Sequence, residues 1–363
     1  MLYKKYGKTG KDISIIGFGG MRFQKDGEEY DLEKCAQMVT RAYELGINYF
    51  DTAPGYCGGK SEEIFGIAFK QIPGKFYVST KSSARTGDKL REDLERSLKR
   101  MGVEKIDFFH IWCVLTMEDY RKRLVKGGPY EAALKAKEEG LVEHITISTH
   151  CNGEEIETIV KEGLFEGITL GYNILNFPYR RSGLKAAFDN GMGVATMNPL
   201  GGGVIPQNAE YLKFMINEED QSIVESAIKF NASHKEITTV LTGMSSLRDV
   251  EENAAVGNKI SPFTEEKLKE IENKLSASMN ELCTGCRYCE KCPQGVSIPK
   301  FMLAYNESLI RKDKTATMNA LKWTYGLSPK EANECIACGA CEKKCTQHLN
   351  IIERLKEIYS WSN

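Results

Sequence analysis

The 363-residue sequence lacks any apolar run long enough to span a bilayer, which takes about 20 consecutive residues, so a membrane is not expected among its partners. It opens on Met-Leu-Tyr-Lys-Lys and has no apolar stretch followed by a cleavage site. A secretory leader is therefore not expected, and a reducing, cytoplasmic compartment is. Charge of one sign is lacking too: 49 Lys and Arg stand against 50 Asp and Glu, a net charge of −1. With no basic stripe and no interleaved aromatics, nucleic acid is not an expected partner either.

What the sequence has is cysteine, unevenly spread. Eight of the twelve fall in the last 84 residues, as two tight runs. One is Cys283, Cys286, Cys289 and Cys292, followed by Pro293; the other is Cys335, Cys338, Cys341 and Cys345. Three C-x2-C steps place four thiolates on one short stretch, and C-x2-C-x2-C-x3-C-P runs of this kind seat [4Fe–4S] cubes, the fourth cysteine crossing to the other cube. The spacing thus predicts two [4Fe–4S] clusters. One takes Cys283, Cys286, Cys289 and Cys345, the other Cys335, Cys338, Cys341 and Cys292. The second run carries Thr346 in place of the proline, and the first is one residue short before its last cysteine. Structural zinc would use C-x2-C pairs separated by a longer loop, with no use for a third evenly spaced cysteine. A disulfide framework does not suit a reducing compartment.

Residues 280–363 hold 12 Lys and Arg against 9 Asp and Glu, so this tail is +3 and the remainder −4. Basic side chains offset the negative charge of a cluster and could present a docking face to an acidic electron carrier. Ordinary surface variation is the other reading.

Upstream, short β-branched or aromatic runs alternate with amphipathic stretches. SIIGFGGM (14–21), NYFDTA (48–53), FYVSTKS (76–82), IDFFHIWCV (106–114), HITISTH (144–150), GITLGYNIL (167–175), GVATMNPL (193–200) and TTVLTGM (238–244) read as eight strands. Segments such as LEKCAQMVTRAYELG and DKLREDLERSLKRMG read as the helices between them, ending on glycine. Eight strand–helix units predict a (β/α)8 barrel, with MLYKKYGKTGKDI as a hairpin closing its bottom. Residues 1–260 make the barrel, 261–279 a charged linker helix capped by Thr264, and 280–363 a small α-helical ferredoxin-like domain with two helices between the cysteine runs.

Such barrels do their chemistry at the C-terminal ends of the strands. Asp51 ends the second strand, Tyr56 lies just beyond it, Lys81 ends the third and His110 sits in the fourth. A tyrosine phenol, with a pKa of about 10 in water, becomes a usable acid beside a lysine ammonium that a carboxylate holds charged and oriented. Singly, Asp51 reads equally as a turn cap, Tyr56 as a loop aromatic and Lys81 as a solvated strand end. Of the other cysteines, Cys35 and Cys113 read as buried small hydrophobes, while Cys57 and Cys151 lie just past strand ends, with nothing to mark Cys57 as a nucleophile.

Together FDTAPGY (50–56), SEEIFG (61–66), STK (79–81) and GMSSLRDVEEN (243–253) resemble the aldo-keto reductases over about residues 1–260. The whole arrangement is similar to the branch of that family with a C-terminal ferredoxin-like domain. The resemblance implies NAD(P)H-linked reduction of a carbonyl in a small-molecule substrate, or the reverse, with Asp51, Tyr56 and Lys81 catalytic. It also implies nucleotide contacts at Gly20, Met21, Ser148, Thr149, Thr169, Met197, Pro199, Leu200, Gly201, Gly243, Ser245, Asp249 and Asn253. The family's catalytic His corresponds to Trp112, with His110 two residues earlier. By strand alternation both face the barrel interior, His110 one layer deeper, either as a catalytic residue or as a core histidine.

The nicotinamide grip departs from the family pattern as well. Thr149, Thr169 and Met197 replace an Asn, a Gln and an aromatic residue, and Asp249 takes the place of a phosphate-binding Arg. A carboxylate there repels a 2′-phosphate and accepts a ribose hydroxyl, which puts NADH level with NADPH. PLGGG (199–203), after the seventh strand, could cradle a pyrophosphate or be a flexible turn that needs positive φ. Residues 115–130 and 203–220 are the expected substrate loops.

Three functions remain open: carbonyl reduction with an electron-relay tail; a ferredoxin- or flavodoxin-linked electron-transfer protein with the barrel as docking module; and a redox-responsive binding protein. Hydride transfer itself needs no cluster.

Overall fold

The β-branched and aromatic runs pair in the order in which they occur. The computed structural model describes residues 1–275 and 281–361. Two strands, β1 (Tyr3–Lys5) and β2 (Asp12–Ser14), form an antiparallel hairpin. The next eight are β3 (Ile16–Gly19), β4 (Tyr49–Asp51), β5 (Tyr77–Ser82), β6 (Ile106–Val114), β7 (Val142–Thr149), β8 (Gly167–Gly171), β9 (Gly193–Met197) and β10 (Thr239–Gly243). They close into a parallel barrel in which β10 returns to β3. The eight predicted strands and the hairpin are all present, each strand shorter than or equal to its predicted run except β7, which starts two residues earlier.

The helices around the barrel are α1 (Leu32–Glu44), α2 (Ser61–Phe69), α3 (Gly87–Met101), α4 (Met117–Arg123), α5 (Pro129–Glu138), α6 (Gly153–Lys161), α7 (Phe177–Asp189), the single turn α8 (Val204–Gln207), α9 (Ile223–Ser233) and α10 (Leu247–Val256). Local chemistry sets their ends. The Asp31 carboxylate accepts the Lys34 N–H at the start of α1, and Cys35, Ala36, Met38, Val39 and Ala42 form its buried stripe. Thr86 caps α3, and Gly102 ends it in the left-handed conformation.

The barrel floor is aromatic. Tyr6, from the hairpin, packs with Ile13, Tyr49, Tyr77, Phe108, Ala195 and Leu241. Its ring lies where β8 and β9 begin, which is why both strands start on glycine: a Cβ at Gly193 would stand 1.9 Å from Tyr6 Cδ1, and one at Gly167 2.4 Å from Tyr6 Cε1.

The chain divides into two units, Met1–Tyr172 with Phe177–Pro199 and Ile228–Phe263, and Asn173–Asn176 with Leu200–Ala227 and Thr264–Asn363. In the second unit α11 (Glu265–Lys274) follows Thr264, whose hydroxyl accepts the Lys267 N–H at 3.1 Å. Residues 276–279 of the expected linker helix, and residue 280, lie outside the described residues. Beyond them come α12 (Ile298–Arg311), α13 (Lys314–Asn319) continuing into a π-helical turn (Ala320–Tyr325), and α14 (Ile351–Ser360). Their core contains Val296, Ile298, Phe301, Met302, Leu321, Leu349, Ile351, Leu355 and Ile358, and it includes Cys283, Cys289 and Cys345.

The tail is a structural repeat. α12 begins six residues after Cys292 and α14 six after Cys345. At three matched pairs of positions the backbone is left-handed: Gly285 (φ 62°) with Ala337 (52°), Arg287 (65°) with Gly339 (71°), and Gly295 (73°) with His348 (52°). Three of these six are not glycine, and each non-glycine residue bears about 1–2 kcal/mol of strain there.

Among the described residues no helix is long and apolar enough to cross a membrane.

Candidate active site and cluster centre

The registers bring the barrel candidates to one mouth. Asp51 pairs with Ser79 across β4 and β5, and Lys81 with His110 across β5 and β6. Lys81 Nζ donates to both Asp51 oxygens, at 2.7 and 2.6 Å, and the two side chains are only 4 and 6 % exposed. The ammonium also stands 5.3 Å from the centroid of the Tyr56 ring, within cation–π range. Burial lowers the Lys81 pKa, and the Asp51 carboxylate opposes that shift. Tyr56 itself is half-buried, on a short 3-10 turn (Tyr56–Gly59) that Cys57 and Gly58 complete in left-handed conformations.

Two residues that sequence reasoning passed over support this pair. Ser79 Oγ donates to Asp51 Oδ1 at 2.7 Å and lies 3.0 Å from His110 Nε2. Its one proton is committed to the carboxylate, so the imidazole must be the donor and carries its proton on Nε2. His110 is fully buried; burial first, and the Lys81 ammonium second, hold it well below the usual imidazole range, so it is neutral. Glu62, also fully buried, accepts from Thr80 Oγ1 at 3.0 Å and pairs with Arg100 at 3.4 Å, fixing the strand residue next to Lys81. Ser79 was legible by alternation from Lys81; a buried Glu62 was not.

His110 and Trp112 do not share one environment. The β6–β7 register shifts between Ile111 and Val114, and Cys113 takes φ 59°. A bulge of this kind re-aims the side chains beside it. Trp112 is half-buried and meets the Tyr56 ring edge-on, with centroids 5.7 Å apart and an interplanar angle of 85°. Trp112 is therefore the neighbour of Tyr56, and His110 the neighbour of Ser79.

The nucleotide candidates of the first unit lie at or beyond the C-terminal ends of its strands. Gly20 lies at the end of β3, where a Cβ would stand 2.3 Å from Phe65 and 2.5 Å from Ser61 Oγ; half-buried Met21 follows it. Ser148 and Thr169 are register partners, both buried, and Thr169 Oγ1 has no protein hydrogen-bond partner. A buried, unsatisfied hydroxyl beside Ser148 suits the amide of a nicotinamide. Thr149 is different: its hydroxyl donates to Val114 O at 3.0 Å and accepts the Cys151 N–H at 3.1 Å, so it is spent on the backbone. Met197 ends β9, with Pro199 beyond it.

At the other end of the candidate site Gly243 carries the Arg22 side chain, whose Cγ would be 2.5 Å from a Cβ there. Asp249 Oδ2 accepts from Ser245 N at 2.8 Å and Ser245 Oγ at 2.6 Å, while Ser246 Oγ caps α10 by accepting the Asp249 N–H. Burial raises the Asp249 pKa, but these hydrogen bonds outweigh it and the net shift is downward. A carboxylate thus fills the helix start where a phosphate would bind. Asn253 is buried on the same helix.

In the second unit, Gly201, Gly202 and Gly203, which follow Leu200, all take positive φ. A Cβ on Gly202 would fall 1.9 Å from the Thr284 carbonyl oxygen, so this turn lies against the first cysteine loop.

Two recesses gather the eight tail cysteines. Cys283, Cys286, Cys289 and Cys345 line one; Cys292, Cys335, Cys338 and Cys341 line the other. Each set takes three cysteines from one run and one from the other. Four sulfurs ringing a recess suit a cube whose irons each take one thiolate, and the repeated left-handed turns form the anion-cradling backbone common at iron–sulfur sites. Burial, then the neighbouring cysteine sulfurs, push Cys289 up to about 12. Such crowded thiols ionise together only around cations. Asn306, which had no signal in the sequence, clamps the first cysteine: its Oδ1 accepts the Cys283 N–H and its Nδ2 donates to Cys283 O, both at 2.8 Å.

Comparison with known proteins agrees with both halves. Residues 15–276 match the aldo/keto reductase family, and residues 282–350 match a 4Fe-4S dicluster domain. The chain is 26 % identical over 312 residues to L-galactose dehydrogenase of Arabidopsis thaliana, covering 76 % of this chain and 94 % of that protein. It is 26 % identical over 336 residues to L-glyceraldehyde 3-phosphate reductase of Escherichia coli O157:H7, covering 76 and 93 %. In fold it resembles an aldo-keto reductase of Bacillus halodurans in its holo form, with a TM-score of 0.65 at 22 % identity over 76 % of this chain and 97 % of that one.

Proposed function

Because the chain belongs to the aldo/keto reductase family and carries a 4Fe-4S dicluster domain behind its barrel, we propose that it reduces the carbonyl of a small-molecule substrate with NADH, or oxidises the corresponding alcohol. We further propose that its tail holds two [4Fe–4S] clusters that exchange electrons with a carrier of the ferredoxin or flavodoxin kind. The hydride chemistry belongs to residues 1–260 and the clusters to 280–363, joined through 261–279.

One observation carries the reading: a buried Lys81–Asp51 pair at 2.6–2.7 Å, with its ammonium set against the Tyr56 ring. A bound nicotinamide supplies the hydride. Tyr56 gives its phenolic proton to the carbonyl oxygen as negative charge builds there, and the Lys81 ammonium stabilises the phenolate left behind. Asp51 keeps Lys81 protonated in a site whose burial favours the neutral amine. Ser79, itself hydrogen-bonded to neutral His110, fixes the carboxylate. The Trp112 indole beside Tyr56 is the N–H donor available where an imidazole stands in the family pattern.

Ser148 and Thr169 are the groups that suit the carboxamide. Asp249 supports NADH over NADPH, because its carboxylate would face the 2′-phosphate of the latter. Two relatives are named for L-galactose and L-glyceraldehyde 3-phosphate, so small hydroxylated carbonyl compounds are the first substrates to test.

The test is nucleotide binding and turnover with an anaerobic preparation of the full chain. NADH should quench the protein fluorescence saturably. Tyr56→Phe should retain that binding and lose turnover by about 100-fold or more. Binding of neither NADH nor NADPH would overturn the proposal.

A further inference from the structure

The two halves of the tail repeat the same backbone but differ in what covers them. In the first ring Cys283, Cys289 and Cys345 are buried and Cys286 is half-buried; in the second Cys292, Cys335 and Cys341 are half-buried and Cys338 is exposed. The contrast is sharpest at the residue after the first cysteine of each run. Thr284 is 6 % exposed, and the Gly201–Gly203 turn lies against its carbonyl. Its counterpart Ile336 is 60 % exposed, and Ala337 beside it is exposed as well. The polar residue is covered and the apolar one is bare, the reverse of what burial alone would select. Ile336 and Ala337 thus leave a small apolar spot bare beside the second ring.

The charges around it specify the partner. Lys291 lines the second recess, and Lys343 and Lys344 immediately follow Cys341 and Glu342; all three lysines are exposed. Among the described residues none of them has a carboxylate within ion-pair distance. Of the nearby acids Glu290 pairs with Arg287 and Glu342 accepts the Ile352 N–H at 2.9 Å, while Glu334, next to Cys335, is exposed. Lysines flanking a small apolar centre fit an acidic protein and disfavour a second copy of the same surface.

We infer that the face formed by Ile336, Ala337 and Cys338 with Lys291, Lys343 and Lys344 is the docking surface for an acidic one-electron carrier protein, and that electrons enter or leave the tail there. The inference rests on the reading of the eight cysteines as cluster ligands. In the entry direction one electron passes from the reduced carrier to the protein: the carrier is oxidised by one electron, the tail is reduced by one, and no bond or proton is exchanged.

The experiment uses the full chain, anaerobically reconstituted, with iron content and cluster absorbance measured first. Stopped-flow absorbance follows reduction by a reduced acidic [2Fe–2S] ferredoxin, and separately by dithionite, which needs no docking. Ile336→Glu and the triple variant Lys291→Glu, Lys343→Glu, Lys344→Glu should each slow the ferredoxin reaction at least tenfold at low salt. Their dithionite rates should match that of the unaltered protein. In the unaltered protein the ferredoxin rate should fall steeply with ionic strength, and in the triple variant that slope should flatten. Unchanged ferredoxin rates in both variants would overturn the docking surface. So would a salt-independent rate in the unaltered protein, or reduction by dithionite but not by ferredoxin, and all three results leave the cluster reading standing. Absence of iron would remove the cluster reading itself.

Discussion

Replacing Asp51 with Asn removes one charge and almost no volume, and it tests the central pair directly. Lys81 is 3 % exposed and has both Asp51 oxygens within 2.7 Å. Without the carboxylate, a buried ammonium is left unpaired, a change that typically costs ~3–5 kcal/mol. The chain can escape by releasing the Lys81 proton. At pH 7 that release costs ~1.4 kcal/mol for each unit below a free lysine pKa of ~10.4, or ~4–5 kcal/mol in all, so the two routes give the same size of effect.

The pH dependence distinguishes this from simple loss of packing. In the variant the folded chain holds Lys81 neutral while the unfolded chain protonates it up to a pH of ~10.4. The unfolded state therefore binds more protons, and stability rises with pH. The deficit relative to the parent protein should shrink to ~2 kcal/mol near pH 9. Anaerobic urea denaturation followed by far-ultraviolet circular dichroism measures it, with amide hydrogen exchange of β4 and β5 as the local readout. A deficit below ~1 kcal/mol at pH 7, or one that does not change with pH, would refute the picture of a coupled buried pair.

Three further outcomes are expected. His110 is held neutral in the fold while the unfolded chain takes up its proton near pH 6.5, so its contribution is intact above that pH and is lost below it at ~1.4 kcal/mol per unit; His110→Asn should flatten the stability curve between pH 6.5 and 5. Thr346, fully buried, has its hydroxyl 3.5 Å from Cys286 Sγ and accepts from Gln347 Nε2 at 3.3 Å, which turns its proton toward the sulfur. With ~0.5–1.5 kcal/mol for one hydrogen bond and 59 mV per tenfold change for one electron, Thr346→Val should lower one cluster potential by ~20–60 mV in a redox titration followed by electron paramagnetic resonance, while the other cluster is unmoved. Asp249→Ala should narrow any preference for NADH over NADPH by ~5-fold, the effect of removing about 1 kcal/mol of repulsion at a half-buried site near solvent; an unchanged ratio would separate Asp249 from cofactor choice.

Much of the fold could be read in advance because its signals are local. Alternation over four to nine residues marks a strand wherever it packs, and eight such runs with amphipathic helices between them leave few closed arrangements. Asp51, Lys81 and His110 could be set on neighbouring strand ends by counting. The grouping of the tail cysteines was legible too, since two runs of C-x2-C steps, each with a distant fourth partner, have few ways to gather in two sets of four. Ser79 was in view two residues before Lys81, on the same face. Thr149 shows the limit: its residue type suits an amide contact, but its place beside the end of β6 gives its hydroxyl to Val114.

The sequence by itself determined the barrel, its floor hairpin, the placing of Asp51, Lys81 and His110 on neighbouring strands and the grouping of the tail cysteines, because each depends on spacing along the chain. Tertiary structure decided what spacing does not encode. A bulge after Ile111 sends Trp112 to Tyr56 and leaves His110 with Ser79, since a local register shift is set by neighbouring strands rather than by period. Burial made Glu62 and Asn306 structural anchors. Two cysteine runs that read alike became one more buried ring and one more exposed ring: the Gly201–Gly203 turn reaches Thr284, and among the described residues nothing equivalent covers Ile336. Exposure is a property of what the rest of the chain leaves uncovered, and it appears only once the chain is folded.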